Sequence, residues 1–262
     1  MGIVNVTPDS FADGGRYLDP EAADRQARAL AAAGAELVDL GAESTRPGSG
    51  GVSAAEEQDR LLPVLERLLD DPPCLVSVDT SKPEVAEAAL ALGAHMINDI
   101  TALAAGPDVA RACARHGAAL CLVHMQGTPA TMQAAPRYAD LLGEVREGLA
   151  RAVARAEAAG VEPEAICVDP GIGFGKTVEH NLTLLKRLDA LAPLGKPVLV
   201  GLSRKSFIGA LLDLPPAERL EGTLAACAVA VQSGVHVLRV HDVDAVRRAV
   251  RVAEAIRDAP EA

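Results

Sequence analysis

Short runs of β-branched and aliphatic residues alternate along the chain with longer, alanine-rich stretches whose apolar positions recur at helical spacing. The strand-like runs are GIVNV (2–6), ELVDLG (36–41), CLVSVD (74–79), HMIND (95–99), ALCLVHM (119–125), AICVDP (165–170), PVLVGLS (197–203) and VHVLRVHD (235–242). Helix-start signals follow several of them: DPEAA at 19–23, SAAEE at 53–57, SKPEV at 81–85 and GPDVA at 106–110. In each, a small polar residue or a proline opens an acidic first turn. Helix stops fall at Gly34, Gly93, Gly117 and Gly160, just before the next run. Eight β–α units in 262 residues predict an α/β protein, a closed (β/α)8 barrel, forming one domain over 1–262. An open doubly wound sheet is the alternative. It needs only six strands, and a nucleotide fingerprint after its first one is absent.

The glycine-rich stretch CVDPGIGFGKT at 167–177 looks like a phosphate cradle but is not one. In a P-loop ending at Gly175 the first glycine would fall at position 170, which is proline. The dinucleotide fingerprint fails too, since its last glycine would fall on Lys176.

Barrel enzymes keep their chemistry at the C-terminal ends of the strands. Asn5, Glu43 to Arg46, Asp79, Asn98 with Asp99, His124, Asp169, Ser203 to Lys205, and Arg239 with His241 all fall there. Each has a plainer explanation alone. Asp79 could simply cap the helix that follows it, Asp99 reads as a helix or turn cap rather than a ligand, His124 and Glu43 as groups that orient others, and Lys176 and His180 as solvated surface. His95, His116 and His236 fall at the opposite, stability face. Taken together, eight units delivering polar groups to one rim exceed what a structural barrel needs.

Two subsets make chemical sense. Asp79, Asn98, Asp169 and Lys205 combine carboxylates, an amide and a cation, suited to the adjacent N–H donors and the carbonyl of an amino-oxo-pyrimidine ring. Asn5, Arg46, Arg239 and His241 come from neighbouring strands and suit phosphate oxygens, with Mg2+ held partly by Asn5.

Composition narrows the partners. A formal net charge of −11 disfavours nucleic acid and anionic membrane surfaces. No apolar run approaches a bilayer span, and no signal-peptide pattern opens the chain, so a cytoplasmic location is expected. Aromatic residues are only 2%, so the core must be aliphatic. The five cysteines include no Cys-x-x-Cys pair and read as buried, unreactive thiols.

The motifs, in order, resemble those of the dihydropteroate synthase family: MGIVNVTPDSFADGG at 1–15, ESTRPG at 43–48, SVDTSKPEVAEAAL at 77–90, MINDI at 96–100, HMQGTPATMQ at 124–133, DPGIGFGKT at 169–177, SRKSFIG at 203–209 and RVHDV at 239–243. The resemblance covers the whole chain. It implies condensation of a 7,8-dihydropterin-6-ylmethyl diphosphate with 4-aminobenzoate, releasing pyrophosphate. It further implies that Asp79, Asn98, Asp169 and Lys205 hold the pterin, that Thr45, Arg46, Arg239 and His241 meet the diphosphate, and that Asn5 contributes to a Mg2+ site. Phe11 and Asp13 in the first loop, and Thr45 to Pro47 in the second, would close over the substrates. Ser206 would meet the aminobenzoate carboxylate, Phe174 would pack beside it, and the protein would be a homodimer built through helices near the C-terminus.

Three departures accompany the likeness. Ala12 stands where the family usually has serine, Gln126 stands where many members have arginine, and members carry several residues before the first motif. A pterin-dependent methyltransferase, which shares the pterin cradle, and a non-catalytic pterin-binding barrel are the competing readings. The segments NVTPDSF, STRPG and SRKSF argue against the methyltransferase. Retention of Asn5, Lys205 and Arg239 argues against the non-catalytic barrel.

Overall fold

The computed structural model describes residues 1–6, 19–44 and 51–260. Expectations for Phe11, Ala12, Asp13, Thr45, Arg46 and Pro47 lie outside the described residues. Eight parallel strands appear at the expected places: β1 (Gly2–Asn5), β2 (Leu37–Gly41), β3 (Leu75–Asp79), β4 (Met96–Asp99), β5 (Ala119–Val123), β6 (Ile166–Asp169), β7 (Leu199–Gly201) and β8 (Val237–Arg239). Strands β1 to β6 pair in sequence order and β7 pairs with β8. Two isolated parallel bridges, Val168 with Val198 and Gly2 with Val240, join the two pieces into a ring. Across the second seam, the Ile3 N–H donates to Val240 O and the Val240 N–H to Met1 O, each at 3.0 Å. The (β/α)8 expectation is met.

The helices are α1 (Pro20–Ala32), α2 (Ala54–Asp70), α3 (Pro83–Ala91), α4 (Asp108–His116), α5 (Leu141–Ala158), α6 (Val178–Lys186), α7 (Ser206–Leu212), α8 (Leu220–Gln232) and α9 (Val243–Arg257). Two of the four start signals act as side-chain caps. Asp19 accepts from the Glu21 N–H and Ser53 from the Glu56 N–H. Helices α3 and α4 start without a side-chain cap. One helix more than the pattern predicted lies between β7 and β8. There Asp213 turns left-handed, with φ of 54°, and Pro215 and Pro216 prevent α7 from running on into α8. None of the described helices is long and apolar enough to cross a membrane.

Strand periodicity decides which residues meet inside the barrel. Val38, Leu40, Val76, Val78, Ile97 and Val168 pack outward in the large core under the helices. Met96, Cys121, Val123, Cys167 and Leu199 form a smaller cluster inside. All five cysteines are free, and four are buried. Burial raises the thiols of Cys113 and Cys227 to about 12, so they stay protonated, as unreactive core thiols should. At the strands' entry end, His95 and His236 each accept a backbone N–H, from Val76 and Val198, at 3.1 Å. Both lie at that end and are exposed.

Candidate active site

The same alternation carries Asp79, Asn98, Asp169 and Arg239 to the barrel interior near the strands' C-terminal ends. With Lys205, the residue just before α7, they line one cleft. Ile100, Val123, Ile172, Phe174 and Gly201 supply its apolar walls. A flat apolar slot with a few convergent polar groups is the form a heterocycle site takes.

The expected pterin set is thus brought together. Of the expected anion set, Arg239 also lines this cleft. Its guanidinium lies in the polar floor of the cleft. Its Nε donates to Asp39 Oδ2 at 2.6 Å and its Nη2 to Asp79 Oδ2 at 2.9 Å. The reason is charge. Two buried carboxylates need a cation, and only a guanidinium offers a fork that reaches both. Asp39 is fully buried, and sequence reading missed it because it sits inside a strand rather than at its end. The available signal was period two: Leu37, Asp39 and Gly41 share the inward face of β2.

One guanidinium cannot neutralise two carboxylates. Burial, opposed by Arg239 and reinforced by Asp39, raises Asp79 to about 7. Asn98 Nδ2 also reaches Asp39, at 3.4 Å, while Asn98 Oδ1 has no protein partner though fully buried. Asp39 Oδ1 and Ser77 Oγ are buried and unpartnered as well. Such atoms are costly, and the acceptor on Asn98, beside the cleft, matches an N–H donor on a ligand.

Asp169 accepts the Gly171 N–H at 2.6 Å, and burial raises its carboxyl to about 6 against the pull of that bond and of Lys205. Burial likewise lowers Lys205 to about 8. The Lys205 Nζ lies 4.4 Å from the centroid of the Phe174 ring, a cation–π contact at the mouth of the cleft.

The glycines of the 167–177 stretch serve close approach. A Cβ on Gly171 (φ 71°) would sit 1.8 Å from His124 O, and one on Gly175 (φ 62°) would sit 2.5 Å from Gln126 O. The β6 loop therefore lies flat against the end of β5, and only glycine permits it. Lys176 is a correction: rather than being solvated surface, it is buried. Its Nζ lies 3.1 Å from His124 Nδ1 and donates to Phe174 O at 3.0 Å. His180 completes a capping box with Thr177 at the start of α6.

The other described candidates are not among the residues that line the cleft. Asp99 faces outward and accepts from Thr101 and Leu103, the turn cap expected. His241 pairs with Ser203 Oγ through its N–H and its Nδ1. Asn5 ends β1, half-buried, and Ser206 is exposed at the start of α7. Glu43 receives Lys82, which also grips the buried Glu57. Gln126 exchanges hydrogen bonds with Arg137 in its own loop, so its difference from arginine does not reach the cleft. Among the described residues, no cluster of three or more His, Cys, Asp or Glu side chains could hold a metal ion.

Comparison with known proteins agrees with this geometry. The model of a family described as pterin binding enzyme matches residues 1–241. The dihydropteroate synthase of Escherichia coli (strain K12) is 48% identical, covering 100% of this chain and 92% of that protein. The Yersinia pestis dihydropteroate synthase, solved as a sulfonamide drug complex, superposes with a TM-score of 0.95 at 44% identity, over 99% of this chain and 94% of that one. The Xanthomonas albilineans dihydropteroate synthase with 4-aminobenzoic acid gives 0.91 at 46% identity, over 99% and 93%.

Proposed function

The chain belongs to the pterin-binding enzyme family, and from that premise we infer that it condenses a (7,8-dihydropterin-6-yl)methyl diphosphate with 4-aminobenzoate to give 7,8-dihydropteroate and pyrophosphate. It is a transferase of folate biosynthesis, and the methyl-transfer reading falls away. The observation that carries the reaction is the convergence of Asp79, Asn98, Asp169, Lys205 and Arg239 on one slot, beside relatives solved with the amine and with a sulfonamide.

In this reading the Asp169 carboxylate and Asn98 Oδ1 accept the adjacent N–H donors of the pterin, and Lys205 donates to its carbonyl or a ring nitrogen. The carbon–oxygen bond at the exocyclic methylene breaks, and its electron pair leaves on the diphosphate. Positive charge spreads into the ring, where the negative field of Asp39, Asp79 and Asp169 exceeds the Arg239 and Lys205 charges. The neutral aromatic amine then attacks and releases its proton. No covalent enzyme intermediate is required, and a pterin–protein adduct trapped during turnover would sink the dissociative scheme.

Arg239, His241, Arg46 and Thr45 are assigned to the diphosphate, and Asp13, Phe11 and Pro47 to the loops above it. Ser206 and Phe174 are assigned to the aminobenzoate. The inward-facing Asn5 offers a single amide oxygen, which fits Mg2+ because that ion completes its shell with water and phosphate oxygens rather than an all-protein cage. When bound, Mg2+ supplies positive charge to the departing diphosphate. Five unpaired thiols support a reducing, cytoplasmic setting. Exposed Leu211, Leu212, Val229, Val252 and Ile256, all on α7 to α9, support a homodimer through that face.

The deciding assay mixes the pterin diphosphate, 4-aminobenzoate and Mg2+ and follows pyrophosphate and pteroate together. Equimolar appearance of both is expected. Pyrophosphate release without amine incorporation overturns the assignment.

A further inference from the structure

Lys176 is 3% exposed, yet the reaction above leaves it without a role. It stands behind the slot's wall rather than in it, with its Nζ 3.4 Å from where a Cβ on Gly171 would lie. Its acceptors are His124 Nδ1 at 3.1 Å, Phe174 O at 3.0 Å and His124 O at 3.4 Å. None is a carboxylate, which makes this an expensive place for an ammonium group. Burial, with Lys205 nearby, lowers Lys176 to about 7 against the pull of Asp169. Burial and the Lys176 charge lower His124 to about 3, so the imidazole is neutral and its Nδ1 accepts.

Three successive carbonyls of the β6 loop are each held by a different side chain. Gln133 Nε2 donates to Gly173 O at 2.6 Å, Lys176 to Phe174 O, and the Tyr138 hydroxyl to Gly175 O at 3.0 Å. The middle one belongs to the residue whose ring caps Lys205. Lys176 therefore links the end of β5 to the aromatic wall of the slot.

We propose that Lys176 is a positioning residue for the aromatic amine, fixing the Phe174 peptide against His124 so that the Phe174 ring stands as the amine's wall. It touches neither substrate, and its effect falls on the amine rather than on the pterin. This rests on the reaction proposed above and names the group that sets affinity for its second substrate.

The test compares wild type with Lys176→Met, which keeps length and burial but deletes all three donors. Binding of 6-hydroxymethylpterin is measured by calorimetry, and the KM for 4-aminobenzoate at saturating pterin diphosphate. Pterin affinity should stay within about threefold, while the amine KM rises about tenfold or more at a smaller change in kcat. Phe174→Leu and the double variant complete a cycle. If Lys176 acts through Phe174, Lys176→Met adds less than about threefold in the Phe174→Leu background. Equal losses for pterin and amine, no change in the amine KM, or additive effects in the cycle each overturn the proposal. Should Lys176→Met fail to fold, Lys176→Gln and His124→Gln are read by the same split. A wild-type protein that makes no pteroate instead refutes the reaction itself, so the two failures remain distinct.

Discussion

Arg239 and Asp39, 200 positions apart, meet at 2.6 Å beneath the slot, and the same guanidinium reaches Asp79 at 2.9 Å. The pterin-facing carboxylate is thereby tied to one that no substrate touches. Breaking a buried pair by deleting one partner costs on the order of 3 kcal/mol. Asp39→Ala should show that loss in urea unfolding. Asp39→Asn should lower the Asp79 pKa from about 7, because the guanidinium is no longer shared. Carboxyl-carbon NMR reads this directly, and an unmoved Asp79 resonance contradicts the coupling.

Asp169 accepts one loop N–H and has its remaining acceptor capacity at the slot. Asp169→Asn removes the charge and turns half of the acceptor surface into donors. Pterin affinity should fall about 100-fold, the scale of a lost charge-assisted hydrogen bond. Calorimetry with 6-hydroxymethylpterin checks it, and a drop below about fivefold removes Asp169 from its assigned role.

Raised carboxyl pKa values give stability and binding opposite pH slopes. Asp79 and Asp169 stand at about 7 and about 6 when folded, against 3.8 ordinarily. In the window above 3.8 the folded chain holds more protons than the unfolded one, so these two groups lower stability as pH rises through it. Pterin binding needs the ionised acceptor at Asp169 and should weaken as pH falls below about 6. Thermal melts of the ligand-free protein and calorimetry across this range test both signs. A pterin affinity that stays flat down to pH 5 would falsify the assignment of charge to Asp169.

Gly171→Ala places a Cβ 1.8 Å from His124 O at a φ of 71°, a clash with backbone that no rotamer relieves. The substitution should cost about 2 kcal/mol or more and loosen both loops. Gly93→Ala, where a Cβ meets nothing within 4 Å despite a φ of 104°, should cost less, since it adds conformational strain alone. Comparable unfolding midpoints for the two variants would show that close packing is not what the β6 loop requires.

The barrel was legible because its strands and helices differ in period, and the rim was legible because polar residues end the apolar runs. Asp39 was not legible at the rim: it lies mid-strand, and its importance follows from facing Arg239 across the closed ring. Lys176 misled for the opposite reason. Early in a helix and beside Thr177 it looked solvated, and only the flat packing of Gly171 and Gly175 against β5 encloses it. Arg239 was legible as a rim cation but its two carboxylate partners were not, since charge pairing across strands leaves no trace in one strand's sequence.

The ring closes at two seams, where Val168 meets Val198 and Gly2 meets Val240, and backbone hydrogen bonds cross both, from Val168 to Pro197 and among Met1, Ile3, Leu238 and Val240. Lys205 and Arg239 ride on the two-stranded piece, and Asp79, Asn98 and Asp169 on the six-stranded one. A bound pterin would therefore act as a second clasp across seams that the backbone already closes. Amide exchange in β7 and β8 should slow together when the slot is filled, by the factor that ligand occupancy sets. The substrate would then complete, from inside, the same circle of strands.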